Sequence, residues 1–164
     1  MERNVHILRS RRTGSFLLNP VGTFRGYGAY VGINPYREVA TDAGPEKLGA
    51  TIVELPGLSG PTGVPFSEAK THLKETADTE TTRIRRQYGL EASGLSTSGL
   101  ARRFLSAEVQ RRYRQKSWRV QRYAYDSRCR PAVMSGARLS PSLVAHAAGV
   151  EALGVAVLRA LELG

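Results

Sequence analysis

Over the first third of the chain the apolar residues fall into short runs. Val5–Leu8 and Ser15–Asn19 are β-like, a turn at Arg11–Gly14 separates them, and Ala29–Ile33 is a third run, closed by Asn34-Pro35. Short runs with tight links predict an antiparallel sheet. Pro20 should stop the second strand, because proline cannot donate to a ladder. The period then becomes helical. Leu48, Ile52 and Val53 follow Pro45, which suits a first turn, and Pro56-Gly57 ends the run. Leu58–Pro65 reads as a loop. Ser67 can cap a sparser helix with apolar residues Ala69, Leu73, Ala77, Ile84 and Tyr88. After a Ser/Gly-rich loop from Gly89 to Gly99, Ser98 can cap a third helix along Leu100, Phe104, Leu105, Val109 and Tyr113. Trp118–Gln121 alternates as a strand, and Tyr123 and Tyr125 continue it out of phase, which predicts a bulge near Arg122. Arg128–Met134 reads as the returning strand, placed at an edge by Pro131. The chain closes on a helix whose Val150, Leu153, Val157, Leu158 and Leu161 share one face. The order β-β-β-α-α-α-β-β-α is that of an α+β fold. It implies a single domain over residues 1–164, with an antiparallel sheet packed against several helices.

One pattern occurs twice. Val39–Leu55 and Val144–Ala160 align without a gap at a shift of 105 positions, with seven identities: Val39/Val144, Ala40/Ala145, Ala43/Ala148, Gly44/Gly149, Glu46/Glu151, Leu48/Leu153 and Gly49/Gly154. Each copy leads into a helix through A-G-x-E-x-L-G. Glycine inside a helix costs about 1 kcal/mol against alanine. Its presence at the same place in both copies predicts that each helix lies against another backbone, expected to be a sheet.

Composition narrows the class. The 164 residues are 41% hydrophobic and 23% charged, as in an ordinary globular protein, and suffice for one core. The single cysteine, Cys129, excludes an internal disulfide. With no signal-like or membrane-spanning run, the reading is a cytoplasmic protein without membrane attachment. The net charge of +10 is concentrated. Arg83–Arg130 holds thirteen basic residues against three acidic ones, and the remainder holds eleven of each.

No catalytic set emerges. His6, His72 and His146 are scattered, and Cys129 between Arg128 and Arg130 lacks a base. Gly26-Tyr27-Gly28 lacks the ending of a phosphate loop. Glu46 and Glu151 are explained by the helix dipole. The sequence therefore names no catalytic residue, metal or cofactor. Arg111, Arg112, Tyr113, Arg114, Lys116, Trp118, Arg119, Arg122, Tyr123 and Tyr125 mix cations with aromatics. Such a mixture suits phosphates and stacked bases, a protein–protein hot spot, or a solvated face over core aromatics.

At the repeated stretch the chain resembles a bacterial family, the immunity proteins (CdiI) of contact-dependent growth inhibition systems. One group of that family has a short N-terminal sheet followed by D-x-S-x-E-E-L-G-x-A-L-L-x-A-L-x-x-S, and a second copy closes the chain. Here the copies are Asp42–Leu55, with Ser59 beyond, and Ala147–Leu161. The family's basic helix, cysteine-containing hairpin and S-P turn match Arg111–Arg130 and Ser140-Pro141. The Gly/Pro-rich stretch Gly57–Pro65 and the charge of +10 depart from the pattern. The resemblance implies a non-enzymatic inhibitor that binds the C-terminal domain of a cognate toxin (CdiA-CT type), often by covering a nuclease site. A basic inhibitor would be repelled by a basic nuclease site. Two contact surfaces therefore stand as candidates: an acidic one of Glu68, Glu75, Asp78 and Glu80, and a cationic one of Arg112, Arg114, Arg119 and Tyr123. Nucleic-acid binding through Arg83–Arg130 is the alternative function.

Overall fold

A computed structural model describes residues 3–28, 30–90, 102–125, 131–133 and 141–162. Nine strands form one sheet: β1 (Arg3–Ser10), β2 (Phe16–Arg25), β3 (Tyr30–Gly32), β4 (Arg37–Val39), β5 (Gly60–Pro65), β6 (Phe104–Arg112), β7 (Ser117–Tyr125), β8 (Pro131–Val133) and β9 (Ser142–Ala145). The helices are α1 (Pro45–Glu54), α2 (Ala69–Glu75), α3 (Thr79–Tyr88) and α4 (Gly149–Glu162). The main path runs β3-β2-β1-β6-β7-β8, with β4 and β5 also on β2 and β9 also on β7. All pairings are antiparallel except β2 with β5. The fold is α+β. No helix among the described residues is long and apolar enough to cross a membrane.

Alternation divides the sheet into two faces. Val5, Ile7, Phe16, Leu18, Ala107, Val109, Trp118 and Val120 point to one side, where Leu48, Ile52 and Leu55 of α1 and its following turn join Leu153, Val157 and Leu161 of α4 in the main core. On the opposite side Leu8, Leu17 and Phe104 pack under Ile84 and Tyr88 of α3. A third cluster, Phe24, Ile33 and Ala69, seats α2 over the far end of β2.

The repeat is geometric as well as sequential. In each copy a short strand contributes one valine to the core, Val39 opposite Phe16 and Val144 opposite Trp118. A glycine then turns the chain into the helix at almost the same dihedrals: φ 87, ψ 167 at Gly44 and φ 90, ψ 172 at Gly149. Only glycine adopts that region without strain. The internal glycines face each other's helix. A Cβ on Gly49 would overlap the Val150 carbonyl oxygen, and one on Gly154 would overlap the Pro45 carbonyl oxygen. The backbone partner of each helix is thus the other helix, not the sheet expected from sequence. Their other faces rest on the sheet through the leucines and valines of the main core.

Several expectations are corrected. Phe104–Arg112 is β6, a central strand between β1 and β7, and not part of a helix over Leu100–Tyr113. Its apolar residues fit a helical stripe by chance, and two non-local ladders decide the conformation. β2 continues through Pro20 to Arg25, because pairing with β1 ends at Pro20 and β5 takes over from Gly22. Gly60–Pro65, expected as loop, is that parallel strand. The helix expected from Ser67 breaks in two, and the cap that counts is Asp78, which accepts from Thr81 N–H at 2.8 Å. The β6–β7 register is unbroken from Arg112↔Ser117 to Ser106↔Tyr123, so Arg122 lies in a regular ladder and Tyr123 simply faces the other side. Only Pro131–Val133 of the returning strand is described. Cys129, its flanking arginines and Ser98 lie outside the described residues.

Gly49→Ala and Gly154→Ala should each destabilise the fold by at least about 2 kcal/mol, because the methyl meets backbone rather than a mobile side chain. At an uncongested helical site the same change would stabilise by up to about 1 kcal/mol. A denaturant titration distinguishes the two, and an unchanged or raised midpoint would rule out the close contact. Leu153→Ala should cost about 2–5 kcal/mol, since Leu153 is fully buried.

Candidate functional site

The sheet face opposite α1 and α4 is polar over β1, β6 and β7. The register places Asn4 opposite Gln110 and His6 opposite Glu108 across β1 and β6. Across β6 and β7 it places Arg112 opposite Ser117, Gln110 opposite Arg119, Glu108 opposite Gln121 and Ser106 opposite Tyr123. On β9, Leu143 pairs with Arg119 and is 63% exposed. Three of the four residues in the cationic set, Arg112, Arg119 and Tyr123, therefore share one face at half-buried positions, and Arg114 stands exposed in the β6–β7 turn.

A hydrogen-bonded network underlies that face. Asn4 Nδ2 donates to Glu108 Oε1 at 2.5 Å, and His6 Nε2 lies 2.7 Å from Ser106 Oγ. Burial raises the Glu108 carboxyl, opposed by a bond from the Tyr123 hydroxyl and by the charge of Arg119. Burial also raises the Tyr123 phenol, and Glu108 adds to the effect through its charge and hydrogen bond. Tyr123 is thus hydrogen-bonded to Glu108, and Arg119 lies within reach of the same carboxyl's charge. Nothing along the chain signals this network, because its members lie about 100 positions apart and meet only through the ladder. A Ser–His contact raises the question of a nucleophile, but Ser106 is 3% exposed and closed to a substrate. His72 meets the Phe24 ring edge-on, and His146 tilts against Trp118.

The sheet divides the remaining cations and aromatics of that segment. Trp118 and Arg122 are buried on the helix-covered face. Arg111 lies over the rings of Tyr113 and Trp118, at 4.6 and 5.3 Å. Among the described residues the cation–aromatic mixture that looked continuous in sequence is therefore split between the two faces of the sheet.

The acidic set divides too. Asp78 caps α3 and pairs with Arg37 at 2.9 Å, and Glu80 reaches the same guanidinium at 3.6 Å. The hydrogen bond from the Thr81 side chain, then its backbone N–H and Arg37, hold the Asp78 carboxyl down at about 2. Glu68 and Glu75 are exposed at the two ends of the α2 segment. Beside Glu68, Phe66 stacks on Tyr27 at 4.1 Å with an interplanar angle of 8°.

By sequence, no protein-family model and no curated protein matches this chain. By structure, the whole fold has relatives. A protein of unknown function from Neisseria meningitidis superposes with a TM-score of 0.67 at 14% identity, covering 99% of this chain and 95% of that one. A chain of the CdiA-CT/CdiI toxin and immunity complex from Yersinia pseudotuberculosis superposes with a TM-score of 0.66 at 9% identity, covering 99% and 97%. At these identities the shared property is the fold.

Burial pulls the His6 imidazole from 6.5 down to about 4, so its native form is neutral. The stability it contributes is complete above pH 6.5 and is lost as pH falls from 6.5 towards 4, by about 3 kcal/mol at most. Glu108, raised by burial, changes in the opposite sense. His6→Gln should therefore flatten the acid limb of a stability-against-pH curve. Parallel curves for the two proteins would exclude His6 as the cause.

Proposed function

We propose that this chain is an immunity protein that binds a cognate toxin domain of the contact-dependent growth inhibition type and blocks it sterically. The supporting observation is the likeness, over almost the full length of both chains, to a chain of a toxin and immunity complex. The duplicated strand–glycine–helix motif agrees with it. We further propose a nuclease as the toxin and a non-catalytic role for this protein, in keeping with the sealed Ser106.

Of the two contact surfaces, the geometry favours the open sheet face. Arg112, Arg119 and Tyr123 stand on a regular ladder, Tyr123 hydrogen-bonded to Glu108 and Arg119 within reach of its charge, with exposed Leu143 alongside. Arginine and tyrosine on a pre-organised surface are what tight interfaces concentrate. Arg114 would stand at the rim. In the acidic set, Asp78 and Glu80 already serve the fold, leaving Glu68 and Glu75 to meet a partner.

The direct test is co-expression with the toxin domain encoded beside this chain. Cells should survive only when both are present, and the purified proteins should associate. Equal killing with and without this chain would end the immunity reading. Within the complex, Arg112→Glu with Arg119→Glu should slow association by about tenfold or more at low salt, while Glu68→Lys with Glu75→Lys should change it little. The reverse ranking would move the interface to α2.

A further inference from the structure

The β1–β2 hairpin and the start of β6 bring together two arginine pairs that are distant in sequence. Arg11 and Arg12 from the hairpin and Arg102 and Arg103 from the approach to β6 line a cavity of about 370 Å3, with Gln87 and Tyr88 from the end of α3. None of its described lining residues is acidic, and none of these four arginines takes part in the ion pairs among the described residues.

The cluster is held by backbone. Arg11 N–H donates to the Arg103 carbonyl at 2.9 Å, which fixes one pair against the other. Arg103 Nη2 donates to the Tyr88 carbonyl at 2.5 Å, and its guanidinium lies 5.8 Å from the centre of the Phe104 ring. Gly89, at φ 65, ends α3 and leaves room for that guanidinium: a Cβ there would approach both Nη atoms to 3.2 Å. A fifth cation lies outside the groove, on the helix-covered face of the sheet, within reach of the charge of Arg11. Arg122 is 8% exposed, and its Nε and Nη1 have no hydrogen-bond partner. Burial, and then the charge of Arg11, disfavour its charged form. Like charges that line one cavity repel, and an anion placed among them turns that repulsion into attraction.

We propose that this groove is an anion-binding site that receives the carboxylates of an acidic segment on a partner protein. Guanidinium forks match carboxylates in bidentate geometry, and the fixed Arg103 requires little ordering on binding. A nucleic acid fits less well, because the aromatic residues of the lining, Tyr88 and Phe104, are each 2% exposed and offer no face for a base. The identity of the partner as the toxin rests on the function proposed above. On that reading the toxin presents acidic side chains here, and the basic charge of this chain assists the encounter.

The test is a fluorescence-anisotropy titration of the purified full chain with labelled oligoglutamate, and in parallel with labelled oligouridylate of equal charge, at physiological ionic strength. Arg12→Ala with Arg102→Ala removes two groove charges. Arg25→Ala with Arg159→Ala removes two exposed charges elsewhere and leaves the same net charge. Oligoglutamate should bind the unmodified chain, the groove variant should lose about tenfold or more in affinity, and the control should lose little. Equal losses in the two variants, no binding of oligoglutamate, or tighter binding of oligouridylate would each overturn the proposal. All four substituted arginines are exposed, and a melting curve checks that each variant is folded. No toxin enters this titration. A failed titration with intact protection refutes the groove alone, and failed protection with groove-dependent binding refutes the immunity reading alone.

Discussion

Two helices distant in sequence touch backbone to backbone, and most of the structure depends on that contact. Gly49 rests on the carbonyl of Val150 and Gly154 on the carbonyl of Pro45. The paired positions run in opposite order along α1 and α4, so the helices cross with opposed polarity about a local pseudo-two-fold. Any side chain at either glycine would separate them. Separation would lift Leu48, Ile52, Leu153 and Val157 from a core in which each is at most 1% exposed. Each helix is delivered by a strand on a different flank of the sheet, β4 on β2 and β9 on β7. The crossing therefore links the two flanks over the central strands β1 and β6. A glycine in a helix is intrinsically unfavourable. Here it permits close packing over two apolar faces, and the apolar area buried there outweighs the local cost.

With one face of the sheet committed to those helices, the other is released for polar chemistry. It is divided in two. Near the β1–β2 hairpin, α3 covers Leu8, Leu17 and Phe104. Over the rest, Asn4, His6, Ser106, Glu108 and Tyr123 form bonds across the strands. Polar groups at this depth are tolerable only when paired. The network holds the Tyr123 hydroxyl through Glu108 and places Arg119 within reach of that carboxyl's charge. Burial holds the His6 imidazole neutral, and it raises the Glu108 carboxyl against the opposing hydrogen bond of Tyr123 and charge of Arg119.

The excess of positive charge also acquires a place. In sequence it is one long basic segment. In space it separates into guanidinium groups stacked on aromatics, such as Arg111; cations on the open sheet face, such as Arg119; and the cluster at the hairpin end. Only the last brings in arginines from outside that segment, Arg11 and Arg12 of the β1–β2 hairpin. A uniformly basic surface would attract any polyanion. The hairpin cluster instead gathers its guanidinium groups in one groove whose aromatic residues are buried.

The sequence alone determined the duplicated motif, the α+β class, the first strands and the buried positions Leu48, Ile52, Leu153, Val157 and Leu161. It could do so because these depend on local period and on residues, such as Gly44 and Gly149, whose backbone freedom is intrinsic. It failed at Phe104–Arg112, where a helical spacing of apolar residues concealed a strand held by ladders to β1 and β7. It failed again at Gly60–Pro65, whose glycines and prolines signal a loop until β2 supplies a parallel partner. The candidate residues were legible by type, but not by company. Period-two alternation set Arg112, Arg119 and Tyr123 on one face and Trp118 on the other, while Asp78 and Glu80 were drawn to Arg37. Only the tertiary structure could bring Asn4 to Glu108, His6 to Ser106 and Arg11 to Arg103. Those contacts are made between strands, and nothing in the order of residues along one strand specifies what lies across from it.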